Sequence, residues 1–134
     1  MLQLMREANG VGLAAPQVGV SLRMFVCNHS GDPEDDMICI NPELTAPTPP
    51  AVAEEGCLSI PEVTVAVRRP EAITITARTP TGDRFERSSS DLLARVWQHE
   101  TDHLDGRLII DFMSEADEIA NRRAIKHLKD MYRP

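Results

Sequence analysis

The chain has 134 residues, 42% of them hydrophobic and 26% charged, with a formal net charge of −7, the composition of an ordinary globular protein of one domain with one modest core. No apolar run approaches the ~20 residues of a membrane span, and residues 1–10 lack the basic start and long apolar stretch of an export signal, so a cytoplasmic protein away from the membrane is expected. An excess of acid (21 Asp and Glu against 14 Lys and Arg) speaks against direct binding of DNA or RNA, whose surfaces need clustered cations to displace phosphate counterions. The three cysteines, Cys27, Cys39 and Cys57, are an odd number and form no disulfide framework, so any special one is a ligand or a nucleophile in a reducing compartment. Asn28-His29-Ser30 matches a glycosylation sequon, read as coincidence without an export signal.

A short helical pattern over residues 2–8 leads into Gly10-Val11-Gly12-Leu13-Ala14-Ala15-Pro16-Gln17. The glycine spacing formally fits a dinucleotide fingerprint, but that fingerprint needs a strand before it and a helix after it. Here a helix precedes and Pro16 biases Ala15 away from helix, so the segment reads as a tight turn with Gln17 as a nearby amide donor. Strands follow over residues 23–28 and 37–40, joined by the polar loop 30–36. Seven of the ten prolines, at 42, 47, 49, 50, 61, 70 and 80, fall between Asn41 and Pro80 and forbid a long helix there. Pro47 to Pro50 reads as an extended bend, and Pro61 as a stop that keeps residues 55–61 out of a ladder. Val63, Val65 and Val67 alternate with Thr64 and Ala66, and Ile73, Ile75 and Ala77 with Thr74, Thr76 and Arg78, the period of half-buried strands. Thr81-Gly82-Asp83 turns the chain into a short strand over 84–87.

Two helices close the chain, over residues 91–105 and 115–132. Ser88-Ser89-Ser90-Asp91 offers cap hydroxyls to the first, and Ser114-Glu115-Ala116-Asp117 has capping-box spacing for the second; Gly106 suits the position just past a helix end. On the first helix Leu92, Leu93, Val96, Trp97 and Leu104 form an apolar arc. Ala94, Arg95, Gln98, Thr101, Asp102 and Asp105 form the opposite one, and both aspartates read as a solvated face. His99, Glu100 and His103 fall on or beside the apolar arc, where polar groups need partners. His99-Glu100-Thr101-Asp102-His103 is H-E-x-x-H: two imidazoles one turn apart can meet one metal ion, and the glutamate between them can take a proton from a water the ion polarises. A structural site would need four protein ligands and a hydrolytic one three. Cys57, in Glu55-Gly56-Cys57-Leu58-Ser59, is the best third candidate, although alone it also reads as an inert buried thiol. Cys27 and Cys39 belong to apolar strand patterns, and His29 and His127 to polar surroundings.

Taken together, G-x-G-L-A-A-P-Q at residues 10–17, E-G-C-L-S at 55–59 and Q-H-E-x-D-H-L at 98–104 resemble the three motifs of the peptide deformylase family, in order and spacing. The resemblance implies an α+β fold, with antiparallel β-sheets packed around a central metal-binding helix and a C-terminal helix, all in one catalytic domain over residues 1–134. It implies hydrolysis of the N-formyl group of N-formyl-methionyl nascent peptides, with Cys57, His99 and His103 as metal ligands and Glu100 as general base and then acid. The Gln17 side chain and Leu58 backbone N–H would receive the oxyanion. Substrate backbone would pair with Val11, Gly12 and Gly56, and the methionine pocket would be formed by Val11, Glu55, Leu92 and Val96, near His99. The implied metal is Fe²⁺, with Zn²⁺, Ni²⁺ or Co²⁺ able to substitute. A monomer that meets the ribosome through Arg122, Arg123, Lys126, Lys129 and Arg133 of its last helix is the implied partner arrangement.

The chain departs from the family pattern in three places. Arg95 stands where many members have an apolar residue beside the methionine pocket, and Thr64 where many bacterial members have Arg. Residues 1–9 are a short lead to the Gly-rich motif. Two rivals make different predictions. A zincin-like peptidase would take its third ligand after the helix, where His127 is the sole histidine, and an inactive relative would bind metal without needing Glu100 and Gln17.

Overall fold

A computed structural model describes residues 1–131. A short helix, α1 (Leu2–Glu7), precedes seven strands: β1 (Gly12–Ala14), β2 (Met24–Cys27), β3 (Met37–Thr45), β4 (Pro50–Cys57), β5 (Ile60–Pro70), β6 (Ala72–Arg78) and β7 (Arg84–Ser90). Two helices, α2 (Asp91–Leu104) and α3 (Glu115–Met131), follow. Tyr132 and Arg133, which the sequence places in the last helix, lie outside the described residues. Among those described, no helix is long and apolar enough to cross a membrane.

The strands form an antiparallel five-stranded sheet in the order β1-β2-β3-β6-β7 and a separate β4–β5 hairpin. The α+β class and the central helix are as expected. Helix α2 lies against the large sheet, its Leu93, Ala94, Val96 and Trp97 packed on Phe25, Cys27, Cys39, Ile73 and Ile75. Full burial of Trp97 and Phe25 stabilises this layer by on the order of 2–3 kcal/mol each. Across from it, the inward valines of β5 (Val63, Val65 and Val67) pack on Ile109 and on Ala124, Ile125 and Leu128 of α3. Thus α2 runs between two sheets, and the alternation in β5 and β6 is seen as predicted.

Three local expectations are corrected. Residues 12–14 are not a turn but an edge strand, in register Gly12↔Cys27 to Ala14↔Phe25, and Pro16 sits in a 3₁₀ turn over Ala15–Val18. The extended bend expected at Pro47 to Pro50 is seen over residues 46–49, which are exposed and outside any ladder, and β4 starts at Pro50 itself, where a terminal position on an outer strand tolerates proline. Pro61 does not stop the ladder: Cys57 pairs with Ile60, and pairing resumes at Glu55↔Val65, so residues 61–64 bulge from β5. Ser88 to Ser90 do not cap α2 with their hydroxyls, since they complete β7 against β6. The α3 capping box does form: Asp117 N–H donates to Ser114 Oγ (3.2 Å) and Ser114 N–H to Asp117 Oδ2 (3.3 Å). Gly106 takes the left-handed conformation (φ +78°) just past α2.

The two-arc reading of α2 also needs revision. Between two sheets the helix has little solvated face, so Ala94, Gln98 and Thr101 are buried as well. Gln98 satisfies its amide by donating to the Pro70 carbonyl (2.9 Å) and the Ala94 carbonyl (3.1 Å).

Candidate active site

The H-E-x-x-H spacing stacks His99 above His103 on α2, with ring centroids 4.9 Å apart and Nε2 atoms 3.2 Å apart. The tight β4–β5 turn brings Cys57 to the same point, its Sγ 3.4 Å from His103 Nε2. The three donor atoms all lie within 4.8 Å of one another, and among the described residues no other group of three His, Cys, Asp or Glu side chains is so arranged. A tetrahedral ion held at about 2.0–2.1 Å by nitrogen and about 2.3 Å by sulfur needs donor separations of roughly 3.3–3.6 Å, so the set fits one first-row divalent metal. One thiolate and two imidazoles suit iron, zinc, nickel and cobalt alike.

Charges around the donors are mutually arranged. Burial alone would raise the Cys57 thiol, but hydrogen bonds from His103 and His99 outweigh it and hold the group at about 5. Burial would lower His99, yet its hydrogen bonds to Cys57 and Glu55 carry it to about 10. A region that draws a proton so strongly onto an imidazole draws a cation for the same reason.

Behind His99 lies a buried ionic network. Glu55 Oε1 meets His99 Nδ1 at 2.9 Å, which leaves Nε2 facing Cys57 and His103. The Glu55 carboxylate also accepts from Arg69 (2.7 and 3.0 Å) and from Arg95 (2.6 Å). Burial alone would raise this carboxyl, but the bonds from His99 and Arg69 prevail and hold it at about 2. Arg69 is itself buried, donates to Asp102 at 2.7 Å and lies over the Phe112 ring at 5.4 Å. Arg95 further donates to the Val67 and Ala51 carbonyls, both at 2.9 Å, tying α2 to the hairpin.

Asp102 is therefore corrected from a solvated residue to a member of this network, whereas Asp105 is exposed, as expected, and pairs with Arg23 at 2.8 Å. Sequence reasoning missed Arg69, although the signal was present: the inward phase of Val63, Val65 and Val67 continues to position 69.

Glu100 is 3% exposed, its Oε1 buried without a hydrogen-bond partner. Burial raises its carboxyl, the nearby imidazoles pull it back, and the balance is about 7. A Cβ on Gly12 would stand 2.7 Å from Glu100 Oε2, so glycine at 12 makes room for this carboxylate. Gly12→Ala is expected to displace Glu100 and lower turnover on the order of 10²-fold, with circular dichroism and metal content unchanged; unaltered turnover would show that the contact is immaterial.

Gln17 bridges β1 and the Cys57 turn: its Oε1 accepts from Ala14 N–H at 2.8 Å, and its Nε2 donates to Ser59 Oγ at 2.7 Å and lies 3.6 Å from Cys57 Sγ. These groups open onto a cleft of about 490 Å³, lined among others by Val11, Gly12, Gly56, Leu58, Leu92 and Val96. Every predicted site residue thus lies at one place. Glu55 lines the cleft too, but its carboxylate is fully engaged by His99 and two arginines. His29 and His127 are exposed and Cys27 and Cys39 fully buried, all apart from the donors.

A metalloprotein of the H-E-x-x-H kind, with a cysteine as third donor supplied from a β-hairpin, is the class that this fold and site define. A sequence model of the family described as polypeptide deformylase matches residues 1–118, and the chain belongs to that family. It is 44% identical to a peptide deformylase of Acidobacterium capsulatum, over 82% of this chain and 66% of the relative. To the chloroplastic and mitochondrial peptide deformylase 1B of Arabidopsis thaliana it is 38% identical, over 98% of this chain and 50% of the relative. The chain thus spans between half and two thirds of the length of these relatives. The crystal structure of a peptide deformylase from Legionella pneumophila superposes with a TM-score of 0.91 at 39% identity, covering all of this chain and 80% of that one.

Proposed function

We propose that the chain acts as one catalytic domain that hydrolyses the formyl group from the N-terminal formyl-methionine of nascent polypeptides and releases formate. The observation that carries this reading is the buried Glu100 carboxyl, one oxygen without a hydrogen-bond partner, beside the three donors at the end of a cleft bounded by two strand edges. Both β1 and β4 are outer strands and both line that cleft, so an extended peptide backbone can pair along Val11, Gly12 and Gly56 with little regard to its side chains. Leu92 and Val96 offer an apolar end for the methionine side chain.

Cys57, His99 and His103 would hold Fe²⁺, or Zn²⁺, Ni²⁺ or Co²⁺ in its stead. When bound, such an ion supplies a Lewis acid that makes water a nucleophile near neutral pH and polarises a carbonyl. The Glu100 carboxylate takes the proton of the attacking water and returns it to the departing amine, so that water and the formamide become formate and a free N-terminus. The Gln17 Nε2–H and the Leu58 backbone N–H donate to the oxygen on which charge develops, a role whose loss costs roughly 10²–10³-fold. Glu55 fixes the His99 ring. A cytoplasmic monomer whose exposed Arg122, Arg123, Lys126 and Lys129 face the ribosome completes the proposal.

The test is release of formate from formyl-Met-Ala-Ser by protein loaded anaerobically with each metal, beside an unformylated peptide as the peptidase control. Formate release with an intact peptide chain is expected, and Cys57→Ser should lose both bound metal and turnover. Absence of formate with all four ions, or release indifferent to Cys57→Ser, would overturn it.

A further inference from the structure

Strand β7 ends the large sheet, and among the described residues no further strand pairs with its outer edge. The edges of β1 and β4 line the cleft, whereas no residue of β7 does. A free edge is a template for pairing with another chain, and proteins commonly blunt it with proline, a bulge or repelling charges. β7 carries no proline, and its register with β6 runs unbroken from Arg78↔Arg84 to Ala72↔Ser90.

The bonds that close the β6–β7 pair fix which backbone groups are free. Thr79 N–H donates to the Asp83 carbonyl (2.8 Å) at one end, and Asp91 N–H donates to the Glu71 carbonyl (3.0 Å) at the other. Bonded positions alternate along an antiparallel ladder, so Asp83, Phe85, Arg87 and Ser89 turn their N–H and C=O groups towards β6. Arg84, Glu86 and Ser88 turn theirs outward. The side chains of these three are exposed, and neither Arg84 nor Glu86 is in an ion pair among the described residues. Arg84 instead stands opposite a like charge, Arg78, an unfavourable cross-strand neighbour.

Two copies of this edge, set antiparallel about a two-fold axis, can bond only where outward-turned residues face each other. With the axis at Phe85, Arg84 of each copy faces Glu86 of the other, and Asp83 of each faces Arg87 of the other. An axis at position 84, 86 or 87 would set Arg84, Glu86 or Arg87 against itself. Charge therefore selects one register.

We infer that β7 is a dimerisation edge through which two copies of this chain join their large sheets, with Arg84 of each against Glu86 of the other. The inference is independent of the deformylase reading, and the monomer remains the catalytic unit because the cleft lies away from β7. A seven-residue edge falls short of the roughly 1,200 Å² that a stable interface buries, so the association is weak and depends on concentration.

Sedimentation equilibrium of the whole chain at low salt should show the mass rising from one copy towards two between about 1 μM and about 1 mM. Glu86→Arg sets arginine against arginine twice and should weaken association by about tenfold or more; Arg84→Glu, which sets glutamate against glutamate, should do the same. An equal mixture of the two variants pairs every arginine with a glutamate again and should recover the parental association, with circular dichroism checking that each variant is folded. A parent that stays monomeric at about 1 mM, association indifferent to Glu86→Arg, or a mixture no tighter than its components would overturn the inference.

Discussion

Glu100→Ala is expected to lower kcat for formate release by about 10²–10⁴-fold, the range for removing a general acid–base group, while leaving the metal in place. Glu100 is not one of the three donors, so metal analysis of the variant should match the parent protein. Its position makes it effective: almost fully buried, with one oxygen unpartnered and the other against Gly12, it keeps a proton affinity near neutral pH because burial opposes its charge and the imidazoles favour it. Glu100→Gln keeps the shape and loses the proton exchange, so it should be nearly as slow as the alanine variant. A glutamine variant with near-parental kcat would mean that Glu100 acts by shape alone.

Glu55→Ala is expected to reduce both stability and metal affinity. The carboxylate sits among Arg69, Arg95 and His99, and removing it leaves two guanidinium groups with little solvent near them. Breaking a buried pair in this way costs about 3–5 kcal/mol, on the order of 10–20 °C in midpoint temperature for a domain of this size. The His99 ring would also lose the partner on its Nδ1, and loss of such a supporting bond to a ligand histidine weakens metal binding by about 10- to 100-fold. Thermal unfolding with and without added metal separates the two effects. An unchanged midpoint would show that the arginines find solvent or Asp102 instead, while an unchanged metal affinity would show that the helix alone orients His99.

The gap between these two residues measures how far the sequence could be read. Glu100 was visible because H-E-x-x-H is a local pattern: one helix turn brings two imidazoles together whatever the rest of the chain does. The strands at Val63 to Val67 and Ile73 to Ala77 were visible likewise, because alternation with period two depends on local backbone geometry. Arg69 and Asp102 were not placed together, since they are 33 positions apart and meet only when α2 is clasped between the sheet and the hairpin. For the same reason Ala94, Gln98 and Thr101 fell on an apparently polar arc, although a helix covered from both sides has little face for water.

Sequence alone therefore pointed to Cys57, His99 and His103 as candidate donors and to Glu100 as candidate base, and determined the fold class through family motifs and the inward phase of the strands. Tertiary structure decided which strands stand at edges, how residues 61–64 bulge from β5, why glycine at position 12 suits the Glu100 carboxylate, and which cations hold Glu55. The division follows from range. Helix and strand periodicities are set by neighbours a few residues away, whereas a buried charge network or an open strand edge depends on packing among elements far apart in the chain.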